Sequence, residues 1–150
     1  MSNNATFDES WQKAEAAVFL ELLTATGGQE GRSAFRGYLP VMLNVWALNT
    51  GGSGGNEQTL WTPNVVSVHV AATIRGLYAA RADAQKFTMQ CVRAMYACAG
   101  KGNVQVFRVR QGGFPEPQPV LVEMGNEKGQ FRAFDVTLQC ELVFSTGGTG

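Results

Sequence analysis

A net charge is the first thing this chain lacks: twelve Lys and Arg residues balance twelve Asp and Glu residues, and charged residues fill only 16% of the 150 positions. A field able to gather a polyanion over the whole surface is therefore excluded. Histidine is nearly absent, with His69 alone, and the three cysteines, Cys91, Cys98 and Cys140, form no C-x-x-C pair. Structural zinc takes four Cys and His ligands at short spacings, so no metal site of that kind is expected. The odd cysteine count and the polar opening Met1-Ser2-Asn3-Asn4, with no basic segment ahead of an apolar core, predict reduced thiols in a cytoplasmic product. No apolar run approaches the ~18 residues that span a bilayer, so no membrane partner is expected. Five Pro against eighteen Gly leave material for loops and tight turns. What the chain does have is apolar mass, 45% hydrophobic with nine Phe and three Trp. A chain of this length buries about 70% of its unfolded surface, enough for one domain without metal or disulfide.

Thr6 followed by Glu9 reads as a capping box and predicts a helix over residues 6–24, ahead of Gly27-Gly28. Its apolar residues, Trp11, Val18, Phe19, Leu20, Leu22 and Leu23, cover more than half the circumference, which marks a helix that is central or shared between two contact surfaces. Residues 35–49, broken by Pro40, read as an edge-type strand or two short ones. Gly51-Gly52-Ser53-Gly54-Gly55 lies in a flexible loop over residues 50–57, and clean alternation from Val66 to Ile74 closes a strand region over 35–74. Because the loop separates two β-patterned runs, it is expected at the tip of a hairpin.

Asp83 as N-cap and Gly100 as C′ residue predict a helix over 83–99. Phe87, Cys91, Ala94, Met95 and Cys98 make a stripe expected to face the sheet, and Met89, Val92 and Tyr96 make a second one roughly opposite. Three strands fill 103–144, the last alternating without a break from Phe134 to Phe144, and residues 145–150 form a loose tail. Strands grouped without regular β-α-β alternation predict a single α+β domain: a mixed or antiparallel sheet packed with two main helices, and a long hairpin carrying the Gly-rich loop.

No motif carries chemistry. Gly51-Gly52-Ser53-Gly54-Gly55 matches G-x-S-x-G literally, but the next eight residues are a poor helix and His69 precedes both Asp83 and Asp135, against the order that serine hydrolases of that fold require. Gly100-Lys101-Gly102 lacks the Ser or Thr and the upstream glycine of a phosphate loop. Cys91 and Cys98 have the spacing of two core residues, and Asp135 and Glu141 are ~20 Å apart along a strand, too far for an acid–base pair. Catalytic residues and cofactors are accordingly not expected.

Charge distribution says more. From Arg75 to Arg110 seven basic residues face Asp83 alone, a segment of +6, while residues 1–74 and 111–150 each carry −3. Three readings stand open: a patch for nucleic acid, internal pairing with the acidic flanks, or a basic face of one copy meeting an acidic face of the next. Arg108 and Arg110 leave one strand face together and suit bidentate pairing with an acidic partner.

The element order resembles the tail terminator (tail-completion) proteins of long-tailed bacteriophages. The features that carry it are the opening helix, the Gly-rich excursion at Gly51–Gly55, the strand through Val66–Ile74 into the Asp83-capped helix, and the closing alternation Phe134–Phe144. The resemblance implies a structural virion protein without catalytic residues. Its subunits form a ring, a hexamer, on the last ring of the tail tube, end tube polymerisation and offer a surface to the neck. It further implies assembly in the host cytoplasm, residence at the head-proximal end of the tail, and partners that are self, the tube protein and a neck or head-connector protein. DNA passes through the lumen without sequence-specific contact. Leu20 with Met89, Val92 and Tyr96 would be covered by neighbours, and Gly51, Gly52, Ser53, Gly54 and Gly55 would order on docking. Another ring-forming tail or neck component is the nearest alternative, and a small α+β ligand-binding domain or enzyme a more distant one.

Overall fold

Alternation that continues past ten residues needs a partner strand equally long, or its backbone groups are left unpaired. A computed structural model of the chain describes residues 5–51, 57–62, 65–110, 114–123 and 130–146. It provides two such strands. The elements are α1 (Ala5–Thr26), β1 (Ala34–Arg36), β2 (Val45–Thr50), β3 (Glu57–Thr62), β4 (Val65–Tyr78), α2 (Arg81–Cys98), β5 (Val104–Val109), β6 (Gln118–Glu123) and β7 (Gln130–Thr146). β4 and β7 pair antiparallel from Val66 opposite Thr146 to Tyr78 opposite Phe134 with no slip in register.

That register sorts the side chains. On one face Val70, Ala72 and Ile74 lie opposite Leu142, Cys140 and Leu138, all buried, and both helices pack there through Val18, Leu22, Phe87 and Cys91. The sheet is mixed, in the order β1-β2-β4-β7-β5, with β1 parallel to β2 and the remaining pairs antiparallel. The α+β expectation of a sheet packed with two helices holds.

Each long strand is flanked by a broken one. β2 pairs with β4 over Ala72–Leu77 and β3 pairs with it over Val65–His69, so both run along the edge that β7 leaves free. β5 and β6 likewise share the outer edge of β7, over Cys140–Phe144 and Gln130–Asp135. This geometry corrects the expectation of a Gly-rich hairpin tip. β3 and β4 pair antiparallel as the long hairpin, while β2 and β3 both pair with β4 and not with each other, so the Gly-rich run falls in sequence between two strands that share one neighbour. Gly51 itself adopts φ +99°, and a Cβ there would come within 2.8 Å of the Trp11 ring, so glycine is required on both counts. Gly52, Ser53, Gly54 and Gly55 lie outside the described residues.

Three further boundaries shift. Helix α1 begins at Ala5, which puts Thr6 inside it, and α2 begins at Arg81 after an extended Ala80 that offers no side-chain cap. Asp83 therefore sits in the first turn, where its charge still complements the helix dipole. Strand β7 continues to Thr146, two residues into the expected tail, because Ser145 and Thr146 still have partners in Ser67 and Val66.

An aromatic chain ties the layers together: Phe19 to Trp46 at 5.4 Å, Trp46 to Phe87 at 5.9 Å and Phe87 to Tyr78 at 5.3 Å between ring centroids. The Phe87 and Tyr78 rings lie against Gly76, where a Cβ would approach them to 2.9 and 2.6 Å. Gly76→Ala should therefore overpack this contact and cost about 1–3 kcal/mol, read as a lowered chemical-denaturation midpoint. Leu138→Asp should cost on the order of 4 kcal/mol or more by burying an unpaired carboxylate in the middle of the ladder. Wild-type-like unfolding of the Leu138 variant would show that β7 is not the core strand.

Candidate functional site

Helix α2 has more apolar surface than the sheet covers. Ala84, Phe87, Thr88, Cys91, Ala94, Met95 and Cys98 are buried, which accounts for the expected sheet-facing stripe. The second stripe stays outside: Met89 is 57% and Tyr96 84% exposed, with Val92 half-buried. Val92, Met95 and Tyr96 face Phe107 and Val109 of β5 and the following Phe114, itself 52% exposed, across a groove of about 230 Å³ that Arg108 also lines. Val92 and Tyr96 of the helix stripe and Arg108, singled out separately, thus meet at one place, while Met89 lies outside the groove lining. Phe107, Val109 and Phe114 were missed as site residues. The two on β5 read as ordinary strand residues, and Phe114 is a lone aromatic between two glycines and Pro115, with no periodicity to flag it.

The basic segment resolves mainly into internal pairs. Arg75 reaches Asp135 through Nε at 3.1 Å and Nη2 at 2.5 Å, Arg81 lies 3.5 Å from Glu116, Lys101 lies 3.5 Å from Glu21, and Arg108 Nε donates to Glu141 at 3.2 Å. Every one of those acids comes from the flanking segments. Lys86 and Arg93 are different. Both are exposed on α2, and neither makes a hydrogen bond or ion pair with another described residue. Lys86, Met89, Arg93 and Tyr96 fall at i, i+3, i+7 and i+10, one outward side of the helix. Arg110 donates its backbone N–H to the Gln139 carbonyl at 2.8 Å. Leu20 is exposed on α1, apart from the groove.

The face of the sheet away from the helices is polar at its centre. Glu141 holds two partners there, His69 Nδ1 at 3.2 Å and Arg108 Nε at 3.2 Å, and so links β4, β7 and β5. Burial pushes the Glu141 carboxyl up, but the hydrogen bonds from His69 and Arg108 outweigh it and hold the group below its usual range. Toward one end, Phe35, Val45 and Ala47 make a small second core with Leu39. A pocket of about 320 Å³ opens beside it, between Leu39–Val41 and β6, over Leu77 and the Arg75–Asp135 pair. Tyr38, Val41 and Met42 remain exposed.

A third concavity, about 610 Å³ and lined by Gln12, Glu15, Arg36, Asn49 and Thr50, opens between α1 and β2. Its carboxylate, Glu15, is engaged by the Thr50 hydroxyl and lies 3.8 Å from Arg36. Burial pushes the Cys98 and Cys140 thiols up to about 12 and the Cys91 thiol higher still, so all three stay protonated at neutral pH and act as core residues. Among the described residues no three His, Cys, Asp or Glu side chains gather to hold a metal, and no helix is long and apolar enough to cross a membrane. No protein-family model and no curated protein matches this sequence.

The depressed Glu141 carboxyl has a signed consequence. Its ionised form is favoured in the folded state, so its contribution is present above the unfolded carboxyl pKa, about 4.3, and is lost as pH falls through the lower folded value. Glu141→Gln should therefore be less stable than wild type at pH 6, with the gap closing in acid. A stability difference unchanged from pH 6 to pH 3 would mean that the network contributes nothing electrostatic.

Proposed function

We propose that this chain is a ring-forming structural subunit of a virion, a tail terminator that caps the tail tube of a long-tailed bacteriophage. In this reading a ring of six copies ends tube polymerisation and presents the surface to which the neck or head connector joins, with DNA free to pass through the lumen. The observation that carries it is apolar surface left in water on both sides of one sheet. Met89, Tyr96 and Phe114 are exposed on the helix side, and Tyr38, Val41 and Met42 next to the second core on the other. A subunit of a closed ring meets two neighbours through two different surfaces, and a capping ring meets a further partner above and below, so its apolar patches must be several and distinct.

The stiffness such a subunit needs is supplied by the β4–β7 ladder, which fixes both patches to one frame. Another tail or neck ring protein faces the same demand; it differs in what it does to a growing tube. A tube subunit adds ring upon ring, whereas a terminator stops after one.

The purified protein, examined by mass photometry and negative-stain electron microscopy, should form a single closed ring alone or on the ends of tail tubes. Its addition to polymerising tube protein should give tubes of uniform, shorter length. Val41→Lys with Met42→Glu should leave thermal unfolding nearly unchanged, since both side chains are exposed, while abolishing the ring. A wild-type protein that remains monomeric and leaves tube growth untouched would overturn the reading.

A further inference from the structure

β7 outruns its longest partner. β4 stops at Tyr78, opposite Phe134, while β7 reaches back to Gln130. Over residues 120–123 and 130–133, β6 and β7 therefore pair only with each other among the described strands, a two-stranded ribbon projecting past the end of β4. Such a ribbon is marginally stable in water unless a further surface covers it. This one still shows solvent Leu121, 63% exposed, and Phe131, 37% exposed. Leu121 and Glu123 fall two positions apart and so share one face, with Arg132 directly opposite Leu121. Glu123 and Arg132 are exposed, and neither side chain makes a hydrogen bond or ion pair among the described residues.

The outward side of α2 is its complement. Met89 is exposed there between Lys86, three residues before it, and Arg93, four after, and both cations lack a partner among the described residues. Leu121 and Glu123 stand about 7 Å apart along their strand, and Met89 and Arg93 about 6 Å apart along the helix axis. Leu121 set on Met89 thus brings Glu123 to Arg93, and Asp83, exposed in the first turn of α2, is the acid left for Arg132. We propose that the β6–β7 ribbon of one copy docks on the outward side of α2 of a second copy, Leu121 on Met89 and Glu123 between Lys86 and Arg93. Each surface holds the charge that the other lacks, so one contact satisfies both, whereas foreign partners would have to answer each separately. The chain has no net charge, so its copies meet without overall repulsion. Because the two surfaces differ, the contact is head-to-tail and repeats from copy to copy until a ring closes. This rests on the ring reading above and names the junction between adjacent subunits.

The test uses the full chain. Glu123→Lys alone, or Lys86→Glu with Arg93→Glu, should weaken self-association at least roughly tenfold in sedimentation, with melting profiles unchanged because all three side chains are exposed. An equimolar mixture of the two variants, and a single chain carrying all three reversals, should recover most of that loss, since opposite charges again face each other. Leu121→Cys with Met89→Cys, treated with a short bismaleimide, should give a ladder of cross-linked copies, while the three native thiols stay buried. Failure of the reversals to complement each other, or absence of the cross-link, overturns the proposal. A ladder that stops at two copies overturns the head-to-tail arrangement. Ring closure is read separately by mass photometry. A ring that survives every reversal and gives no cross-link removes this junction and leaves the ring reading, and a ladder without a closed ring does the reverse.

Discussion

The fold depends on one ladder. β4 and β7 hold a single register from Val66 to Tyr78, and that register decides which residues meet the helices. A slip of β7 by one position along β4 would turn Val136, Leu138, Cys140 and Leu142 to water and set their polar neighbours beside Ile74 and Ala72 under the helices. The outer strands add area without setting the register. The same ladder places the Glu141 and Asp135 carboxylates on the helix-free face, where His69, Arg108 and Arg75 find them.

Much of this architecture could be read in the residues. Strict alternation from Phe134 to Phe144 has few outcomes other than a long half-buried strand, and the sheet-facing stripe of α2 follows from helical periodicity alone. The places where reading failed share a cause. Thr6 and Asp83 have side chains that suit a cap, yet helix starts are decided by packing, and Ala80 precedes α2 without any side-chain hydrogen bond. The β-patterned runs that flank the Gly-rich segment suggest a hairpin tip. Local pattern cannot tell two facing strands from two strands in line on a shared neighbour, which only the pairing with β4 reveals.

The candidate site was legible in halves. Met89, Val92 and Tyr96 stood out as a stripe without an assigned cover. The convergence of Val92 and Tyr96 with Phe107 and Phe114 was not visible, because it depends on β5 pairing with β7 next to α2. Charge behaved in the same way. The residues alone show a basic segment with several candidate partners, whereas the fold engages five of its seven cations, Arg110 among them, and leaves Lys86 and Arg93 without a partner among the described residues. That division turns a compositional asymmetry into a directional surface.

The broken outer strands have an engineering corollary. Each break falls along an edge whose neighbouring long strand is already registered by the other, so chain length there is decoupled from the alignment that specifies the core. Foreign epitopes spliced at either break would leave that alignment intact. The molecule is in this sense a chassis with two ports, able to change what it touches by local insertion while the central pair goes on folding the same way.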